Sequence, residues 1–560
     1  MSSPPVPAPE PESSAVARRA GLVGVGILVS RFLGALRDVV IAATFAVGLT
    51  DAFFMAFTIP NALRVLFGEG AASGAFVPVL TEAREREGNA RAATVFGGLM
   101  RMMVPILVLV TLLGIVFAGP VVLAYASGFD AERFELTVEM TRWVFPYIFL
   151  MGVAALVTAA LHSRKSFTAP ALSPALLNVA LVLACLLAVP ALHALGLPAW
   201  YALAGGVLLG GVLQVAAQWP ALRRLGFGLL APGSLRDPYV RKAMRLLAPL
   251  LLSLGVYQLN LIFSRQFASH LGRGPVSWLW YAQRLVEIPQ GMFALAIASA
   301  ALPSLSEIVA RGDREQGLEL FRATLRMTLF VAIPSTVALA VLALPIVAVL
   351  FGHGAFSATD VQQTAYALVF LAAGIWAIAA VRTVVPMFHA HNDTKAQVVA
   401  SLMNLVVFAS ASWLLMGSMR HAGLTLATSL AGVAQLGVLL TLLRRRTGRL
   451  GLGRVVAASL RMGVASAVMG GVLFAFTFSR PWLTHAMAPT QLVLLTPRAG
   501  AGWSQLLGGG ARAGRGGGVH LHARDRAAAP AQAGLRARAL RRPLARSQRP
   551  RPPVPRLCAP

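Results

Sequence analysis

The chain has 560 residues, of which 57% are hydrophobic and only 12% are charged, and its formal net charge is +28. A soluble domain carries roughly 25% charged residues, so this composition excludes a soluble globular protein and indicates a polytopic α-helical membrane protein. The apolar runs do not alternate with polar residues, which argues against a transmembrane β-barrel. Most basic residues lie in short loops between the apolar runs, a distribution that does not favour nucleic-acid binding.

The N-terminal residues 1–19 are rich in Pro and Ser and lack the pattern of a cleavable signal peptide, so we expect a disordered cytoplasmic tail. Thirteen apolar runs follow, each long enough for a membrane-spanning helix. They lie near residues 20–47, 52–80, 94–126, 138–161, 169–191, 199–221, 243–269, 276–303, 323–350, 362–388, 397–417, 422–443 and 455–479.

The loops between these runs differ sharply in basic residues when they are assigned alternately to the two sides of a membrane. Loops on one side hold 22 Lys and Arg residues, whereas loops on the other side hold four. Because cytoplasmic loops carry the excess of Lys and Arg, this asymmetry predicts a cytoplasmic N-terminus.

The sequence resembles itself at an offset of 225 residues. The segment FVPVLTEA (76–83) aligns with ALPSLSEI (301–308), and with one further residue of offset LLNV (176–179) aligns with LMNL (402–405). The repeat contains six helices, an even number, so both copies have the same orientation. We therefore predict two parallel six-helix lobes, residues 20–221 and 222–443, around a central cavity, with helix 455–479 outside the duplication.

Several apolar runs contain or adjoin charged residues. The candidates for functional charges are Arg31, Arg37 and Asp38 in the first run, Arg64 and Glu69 in the second, Arg265 in the seventh, Arg284 and Glu287 in the eighth, and Arg382 in the tenth. An arginine at mid-bilayer costs about 2.5–3.5 kcal/mol, so each needs a partner or a use.

Pairing is one explanation for these charges: Arg31 and Asp38 share a helix face, and Arg284 and Glu287 are close enough to touch. Another is that Arg37 reaches the membrane interface through its long side chain. The arginines nevertheless outnumber the acids by six to three, which predicts a cavity that binds an anion. The planar guanidinium group favours phosphate or diphosphate as that anion.

Helix-breaking residues lie beside some of these charges. Pro60, with the glycines at 68, 70 and 74, interrupts the second run, and Pro289 and Gly291 follow the charges of the eighth run. Such breaks predict movable elements that line the cavity, although membrane helices also tolerate Pro and Gly without a functional reason. No HExxH, GxSxG, P-loop or metal-ligand cluster is present in the sequence, so we expect neither an enzyme nor a bound cofactor or metal.

Two long segments resemble a known family. SRFLGALRDVVIAATFAVGLTDAFFMAFTIPNALRVLFGEGAASGAFVPVL resembles the N-terminal signature of the MurJ (MviN) lipid II flippases, and VSWLWYAQRLVEIPQGMFALAIASAALPSLS resembles their helix 8 region. The resemblance covers roughly residues 18–480. The family belongs to the multidrug/oligosaccharidyl-lipid/polysaccharide exporter superfamily, whose members contain two six-helix lobes.

The resemblance implies an all-α protein of the bacterial cytoplasmic membrane that moves lipid II from the inner to the outer leaflet for peptidoglycan synthesis, by alternating access. Its implied partners are lipid II and proteins of cell-wall synthesis, and no nucleic acid. The cavity arginines of the family correspond to Arg31, Arg37, Arg64 and Arg284, and Asp51 matches the acid of the family's TDAFF stretch. The supporting charges are Asp38, Glu69, Glu287 and Arg382.

Two departures from the family pattern are visible. Gln283 stands where some relatives have Asp before the helix 8 arginine, and the sodium ligands of some members are not recognisable. Residues 491–560 hold thirteen Arg and one acid, which we interpret as a shifted reading frame that replaces a fourteenth helix. A basic tail that binds anionic lipid headgroups is the alternative.

Other functions remain open from the residues alone. An exporter of another polyprenyl-diphosphate glycan would need the same arginines, whereas an exporter of cationic drugs should have an acidic cavity. A non-transporting scaffold for cell-wall enzymes would not need a cavity with surplus arginine.

Overall fold

The computed structural model describes residues 12–64, 72–228, 232–290, 295–391 and 393–479. This part of the chain is helical and contains no strands. The helices are α1 (Glu12–Thr44), α2 (Val47–Arg64), α3 (Ala72–Val116), α4 (Ala118–Ala126), α5 (Ala131–Val144), α6 (Tyr147–Ser163), α7 (Thr168–Leu183), α8 (Val189–Ala194), α9 (Trp200–Arg224), α10 (Pro238–Ser269), α11 (Pro275–Pro289), α12 (Leu295–Ala310), α13 (Arg314–Val341), α14 (Ala343–Phe351), α15 (Ala358–Ala372), α16 (Ile375–Ala390), α17 (Thr394–Met419), α18 (His421–Thr447) and α19 (Gly453–Phe478).

Wherever the structure describes them, the thirteen predicted apolar runs lie on these helices and the short turns that join them. Among the described residues, eight helical segments are long and apolar enough to cross a membrane, and α15 with α16, bent by 45°, makes a ninth. One of the eight, Thr168–Ala194, contains the π-helical turn Ala184–Ala188 between α7 and α8. The number of thirteen spans itself stays a prediction.

The predicted N-terminal tail is too long. Helix α1 begins at Glu12, so residues 12–19 are helical, whereas residues 1–11 lie outside the described part. Residues 12–19, ESSAVARR, include two Ala, two Arg and one Glu, which favour a helix, and contain no proline. The predicted C-terminal tail, 491–560, also lies outside the described residues.

The helix packing repeats between the two halves of the chain. In the first half, α1 packs on α7, α7 on α9, and α6 on both α3 and α9. In the second half, α10 packs on α17, α17 on α18, and α16 on both α13 and α18. Each pair in the second half is the counterpart of a pair in the first, as the duplication predicts. The fold is therefore two parallel six-helix lobes, while the lobe boundary at 221/222 stays a prediction.

Small residues allow α7 and α9 to approach closely. A Cβ atom on Gly210 would lie 2.8 Å from the Cα of Leu177, and one on Gly206 would lie 2.9 Å from the Cβ of Ala184. Close packing through small residues is typical of membrane helices. This contact fixes the position of α7, which contributes Asn178 to the central cavity.

Candidate substrate-binding cavity

A cavity of about 1370 Å³ is lined by helices of both lobes, and it is larger than the pockets of roughly 300–1,000 Å³ that bind drug-sized ligands. Among its described lining residues are five arginines: Arg31 and Arg37 from α1, Arg265 from α10, Arg284 from α11 and Arg382 from α16. Most of the arginines that the sequence pattern places within apolar runs therefore line this cavity.

Asp38 lies at the centre of the arginine cluster. It is fully buried and accepts hydrogen bonds from Arg37 Nε and Nη2 at 2.9 and 2.6 Å. It also accepts one from Arg284 Nε at 2.7 Å. Because Asp38 lies on α1 and Arg284 on α11, this carboxylate connects the two lobes.

The predicted pairing within helices is half correct. Arg284 Nη1 donates to Glu287 Oε2 at 2.8 Å, as its i, i+3 spacing predicts. Arg31 does not pair with Asp38 but donates to the backbone oxygen of Glu287 at 3.1 Å. Seven residues correspond to a rise of roughly 10 Å along a helix, so Arg284 and the neighbouring Arg37 reach Asp38 more easily.

Arg37 is held inside the protein and does not extend to the interface. Its side chain is 6% exposed, and Nη1 donates to Asn178 Oδ1 at 3.0 Å. Asn178 in turn donates from Nδ2 to the backbone oxygen of Ser30 at 3.0 Å. The site predicted from the sequence does not include Asn178. The repeat alignment of LLNV with LMNL could have indicated it, because this asparagine is present in both copies.

Trp280 lies between an aromatic ring and two arginines. It stacks on Phe54 with ring centroids 4.4 Å apart, and the Cζ atoms of Arg265 and Arg284 lie 5.4 and 5.7 Å from its ring centroid. Arg265 is 7% exposed and forms no ion pair within the described residues. It is one of the deep charges noted in the sequence, but it is absent from the predicted site.

The described charges of the cavity do not cancel. The five arginines are opposed by the carboxylates of Asp38 and Glu287, which leaves a formal charge of +3. Arg382 lines the cavity without forming an ion pair in the described part of the chain. The side chain of Arg64 and the whole of Glu69 lie outside the described residues, so their predicted roles stay predictions.

Asp51 lies away from the cavity and joins the lobes at one end, which we call the Asp51 end. It accepts hydrogen bonds from the backbone nitrogens of Gly274 and Ser277 at 2.6 and 2.8 Å, and from Ser277 Oγ at 2.7 Å. These groups form the N-terminus of α11, which has no side-chain cap of its own. The carboxylate of α2 therefore caps a helix of the other lobe, where negative charge is favourable.

Neighbouring contacts reinforce the Asp51 end. Thr50 Oγ1 and Ser277 Oγ are 2.8 Å apart, and Arg133 Nη1 lies 3.7 Å from Asp51 Oδ2. Gly274 has a φ of +108°, which suits glycine and directs its N–H to Asp51. Within the described residues no group of three or more His, Cys, Asp or Glu side chains could hold a metal ion.

Comparison with known proteins identifies relatives of this chain. The family model "Lipid II flippase MurJ" matches residues 41–493. The lipid II flippase MurJ of Burkholderia cenocepacia is 37% identical over 426 residues, which are 75% of this chain and 82% of that protein.

Two solved structures share the fold. A lipid II flippase MurJ in an inward closed conformation matches with a TM-score of 0.70 at 23% identity, covering 87% of this chain and 99% of the other. An inward-facing multidrug resistance MATE family transporter of the MOP superfamily matches with a TM-score of 0.63 at 16% identity, covering 76% and 96%. The chain therefore shares the fold of both structures, and the match of the family model and of this relative over most of the chain shows that it belongs to the MurJ family of lipid II flippases.

Proposed function

We propose that this protein moves lipid II from the inner to the outer leaflet of the bacterial cytoplasmic membrane by alternating access of its central cavity. As a member of this family with many apolar helices, the chain is a multi-pass protein of the bacterial inner membrane. The observation that carries the proposal is the cavity with surplus arginine between two lobes. Lipid II contains a diphosphate, an anion that arginine binds through paired hydrogen bonds.

Arg31, Arg37, Arg64 and Arg284 are the proposed diphosphate ligands. In the structure, Arg37 and Arg284 donate to Asp38. A diphosphate that enters the cavity would compete with Asp38 for these donors and would take over the Arg284 bond. Since that bond joins α1 to α11, substrate binding would weaken one connection between the lobes.

The proposed transport cycle follows from which end of the cavity is closed. The Asp51 end is held by hydrogen bonds between the lobes. In the other direction the cavity lining extends past Arg31 to His162, in the last turn of α6, and to Phe167, just before α7. With the N-terminus in the cytoplasm, as the loop charges predict, the Asp51 end faces outwards and His162 lies near the cytoplasm. The structure then represents an inward-facing state, and opening outwards requires Asp51 to leave the N-terminus of α11.

Depletion of the protein in its own host tests this function. We expect lipid II to accumulate and to remain inaccessible to enzymes or probes added outside the inner membrane. Re-expression of the wild-type chain should restore access, whereas a chain with Arg31→Met and Arg284→Met should not. Accumulation of a different polyprenyl-diphosphate glycan, with lipid II still accessible from outside, would contradict the proposed substrate.

A further inference from the structure

We infer that the second lobe contains a subsite, formed by Asn260, Asn404 and Gln435, that binds an uncharged amide- and hydroxyl-bearing part of the substrate headgroup. The inference rests on the proposed function, because it assumes that the cavity receives a lipid-linked headgroup. The chemical class is that of an acetamido sugar or a peptide, which share the secondary amide group.

The three side chains form a chain of hydrogen bonds along the cavity. Asn260 Nδ2 donates to Asn404 Oδ1 at 3.0 Å, and Asn404 Nδ2 donates to Gln435 Oε1 at 3.1 Å. They come from three helices, α10, α17 and α18, and all three line the cavity. Polar side chains inside membrane proteins are costly to bury and often mark functional sites.

The chain of amides has hydrogen-bonding capacity that the described protein groups do not use. Asn260 Oδ1 is enclosed and has no hydrogen-bond partner in the described part of the structure. At the other end, the amide nitrogen of Gln435 donates no hydrogen bond to a described residue. The subsite thus offers an acceptor at one end and donors at the other, the combination that a secondary amide or a sugar hydroxyl matches.

The duplication relates this subsite to the arginine cluster. Asn404 aligns with Asn178 in the repeat, and each asparagine accepts a hydrogen bond from the first helix of its own lobe. In the first lobe the donor is Arg37 of α1, whereas in the second lobe it is Asn260 of α10. The two asparagines therefore occupy equivalent positions, one bonded to a cationic donor and the other to a neutral donor.

The subsite of Asn260, Asn404 and Gln435 suits an uncharged ligand better than an ion. None of the three residues carries a charge, and two of their three side-chain oxygens already accept hydrogen bonds. An anion would lack a cationic partner among them, and a cation would lack a carboxylate. A cavity of about 1370 Å³ has room for a headgroup larger than a diphosphate.

The test measures binding of three lipids to the purified full-length protein. They are undecaprenyl diphosphate, the same lipid with a disaccharide, and the same lipid with the disaccharide and peptide. The variant combines Asn260→Leu, Asn404→Leu and Gln435→Leu, which introduces apolar side chains of comparable size and leaves none of the three amides without its partner. We expect unchanged affinity for undecaprenyl diphosphate and about ten-fold weaker binding of a headgroup-bearing lipid, the size expected when one or two hydrogen bonds are lost.

The three lipids also separate the two sources of the amide. A loss that is already complete with the disaccharide lipid supports an acetamido sugar as the ligand, and a loss seen only with the peptide-bearing lipid supports the peptide. The matched control is Asn178→Leu, the equivalent change in the first lobe, which should weaken binding of all three lipids because it releases Arg37.

Two results would overturn the inference: unchanged affinity of the triple variant for the headgroup-bearing lipids, or an equal loss for all three lipids. If the triple variant does not fold, Gln435→Leu alone decides by the same criteria, since it leaves the bond between Asn260 and Asn404 in place. A wild-type protein that binds none of the lipids would contradict the proposed function itself and the inference with it.

Discussion

Asp38 is the residue on which the arrangement of the cavity arginines depends most. It is fully buried, and its two carboxylate oxygens accept from arginines of different lobes. A buried carboxylate loses its hydration, and only close, well-oriented donors compensate for that loss. The neighbouring acid, Glu287, contacts the same Arg284, but its side chain is 39% exposed. Asp38 and Glu287 therefore allow a matched comparison of a buried and an exposed carboxylate that contact the same arginine.

We expect Asp38→Asn to destabilise the protein by about 3–5 kcal/mol, because the buried guanidinium of Arg37 loses its counter-charge and the half-buried guanidinium of Arg284 keeps only Glu287. Glu287→Gln should change stability by less than about 1 kcal/mol, since exposed ion pairs contribute little. Unfolding of both variants by heat or denaturant in the same detergent measures the difference in stability. Equal effects of the two substitutions would contradict the central role of Asp38.

Arg265 presents the opposite case, a buried cation that forms no ion pair within the described residues. Its Nη1 donates only a long bond of 3.5 Å to the backbone oxygen of Val276, and its Nε has no partner in the described part of the chain. Such a charge is costly to bury, so we expect Arg265 to contribute to anion binding in the cavity.

We expect Arg265→Met to stabilise the protein by about 1–2 kcal/mol, because an uncompensated buried charge is replaced by an apolar chain of similar length. The same variant should bind undecaprenyl diphosphate more weakly than the wild type. Thermal unfolding and lipid binding on the same preparation measure both effects. A variant that is less stable than the wild type, with unchanged lipid affinity, would show that Arg265 is structural.

At the scale of helices, α11 depends on α2 for its N-terminal cap. Asp51 occupies the place that a capping residue of α11 itself would take, and Ser277 contributes a second bond to Thr50. Since these bonds cross between the lobes, we expect the cap and the closure of the Asp51 end to form and break together in the proposed cycle.

We expect Asp51→Asn to shift the protein towards the outward-open state by roughly ten-fold, because charge-assisted hydrogen bonds of about 1.5–3 kcal/mol are lost or weakened. Labelling of a cysteine at Leu279, a cavity-lining position, by an impermeant reagent added outside the cell should become faster. The matched control is Asp360→Asn, which removes a carboxylate bonded to Trp278 Nε1, also on α11. Since Asp360 and Trp278 both belong to the second lobe, this control should not change labelling, and equal acceleration by both variants would contradict the proposal.

The packing of α9 on α7 supports a further prediction. A Cβ at Gly210 would meet the backbone of Leu177, next to Asn178, whereas a Cβ at Gly205 would meet nothing within 4 Å. We expect Gly210→Ala to cost about 1–3 kcal/mol through overpacking and Gly205→Ala to be neutral or slightly stabilising. Thermal unfolding of the two variants checks this, and identical unfolding midpoints would contradict the close contact between α7 and α9.

At the scale of the whole molecule, net charge links the cavity to the membrane potential. The substrate's diphosphate carries about two negative charges, and the cytoplasm is electrically negative. Moving two charges outwards releases roughly 4–5 kcal/mol per 100 mV if they cross unneutralised. The empty cavity, with a formal charge of +3 over the described residues, would be drawn back towards the negative side.

We therefore expect the rate of lipid II flipping in proteoliposomes to rise with a potential that is negative on the cytoplasmic face, and to fall when the potential is reversed. Fluorescent lipid II with a quencher added outside measures the rate, and the potential should be set without a sodium or proton gradient. Flipping that ignores the size and sign of the potential but follows a sodium or proton gradient would contradict this mechanism.

The sequence by itself determined the class of the protein, the position of its helices, the duplication and the deep arginines. These features are visible along the chain because a membrane-spanning helix requires a continuous apolar segment, and because a buried charge stands out within it. The end of α11 at Pro289 and the pair of Arg284 with Glu287 are likewise local, within one or two helical turns.

Only the tertiary structure decided which groups meet across the lobes. Asp38 contacts Arg284, 246 residues away, and not Arg31, and Asp51 caps a helix that begins 224 residues later. Asn178 and Asn404 likewise acquired their partners through packing of α1 on α7 and of α10 on α17. Such contacts depend on the rotation and crossing of helices distant in sequence, which an apolar pattern along one helix does not specify.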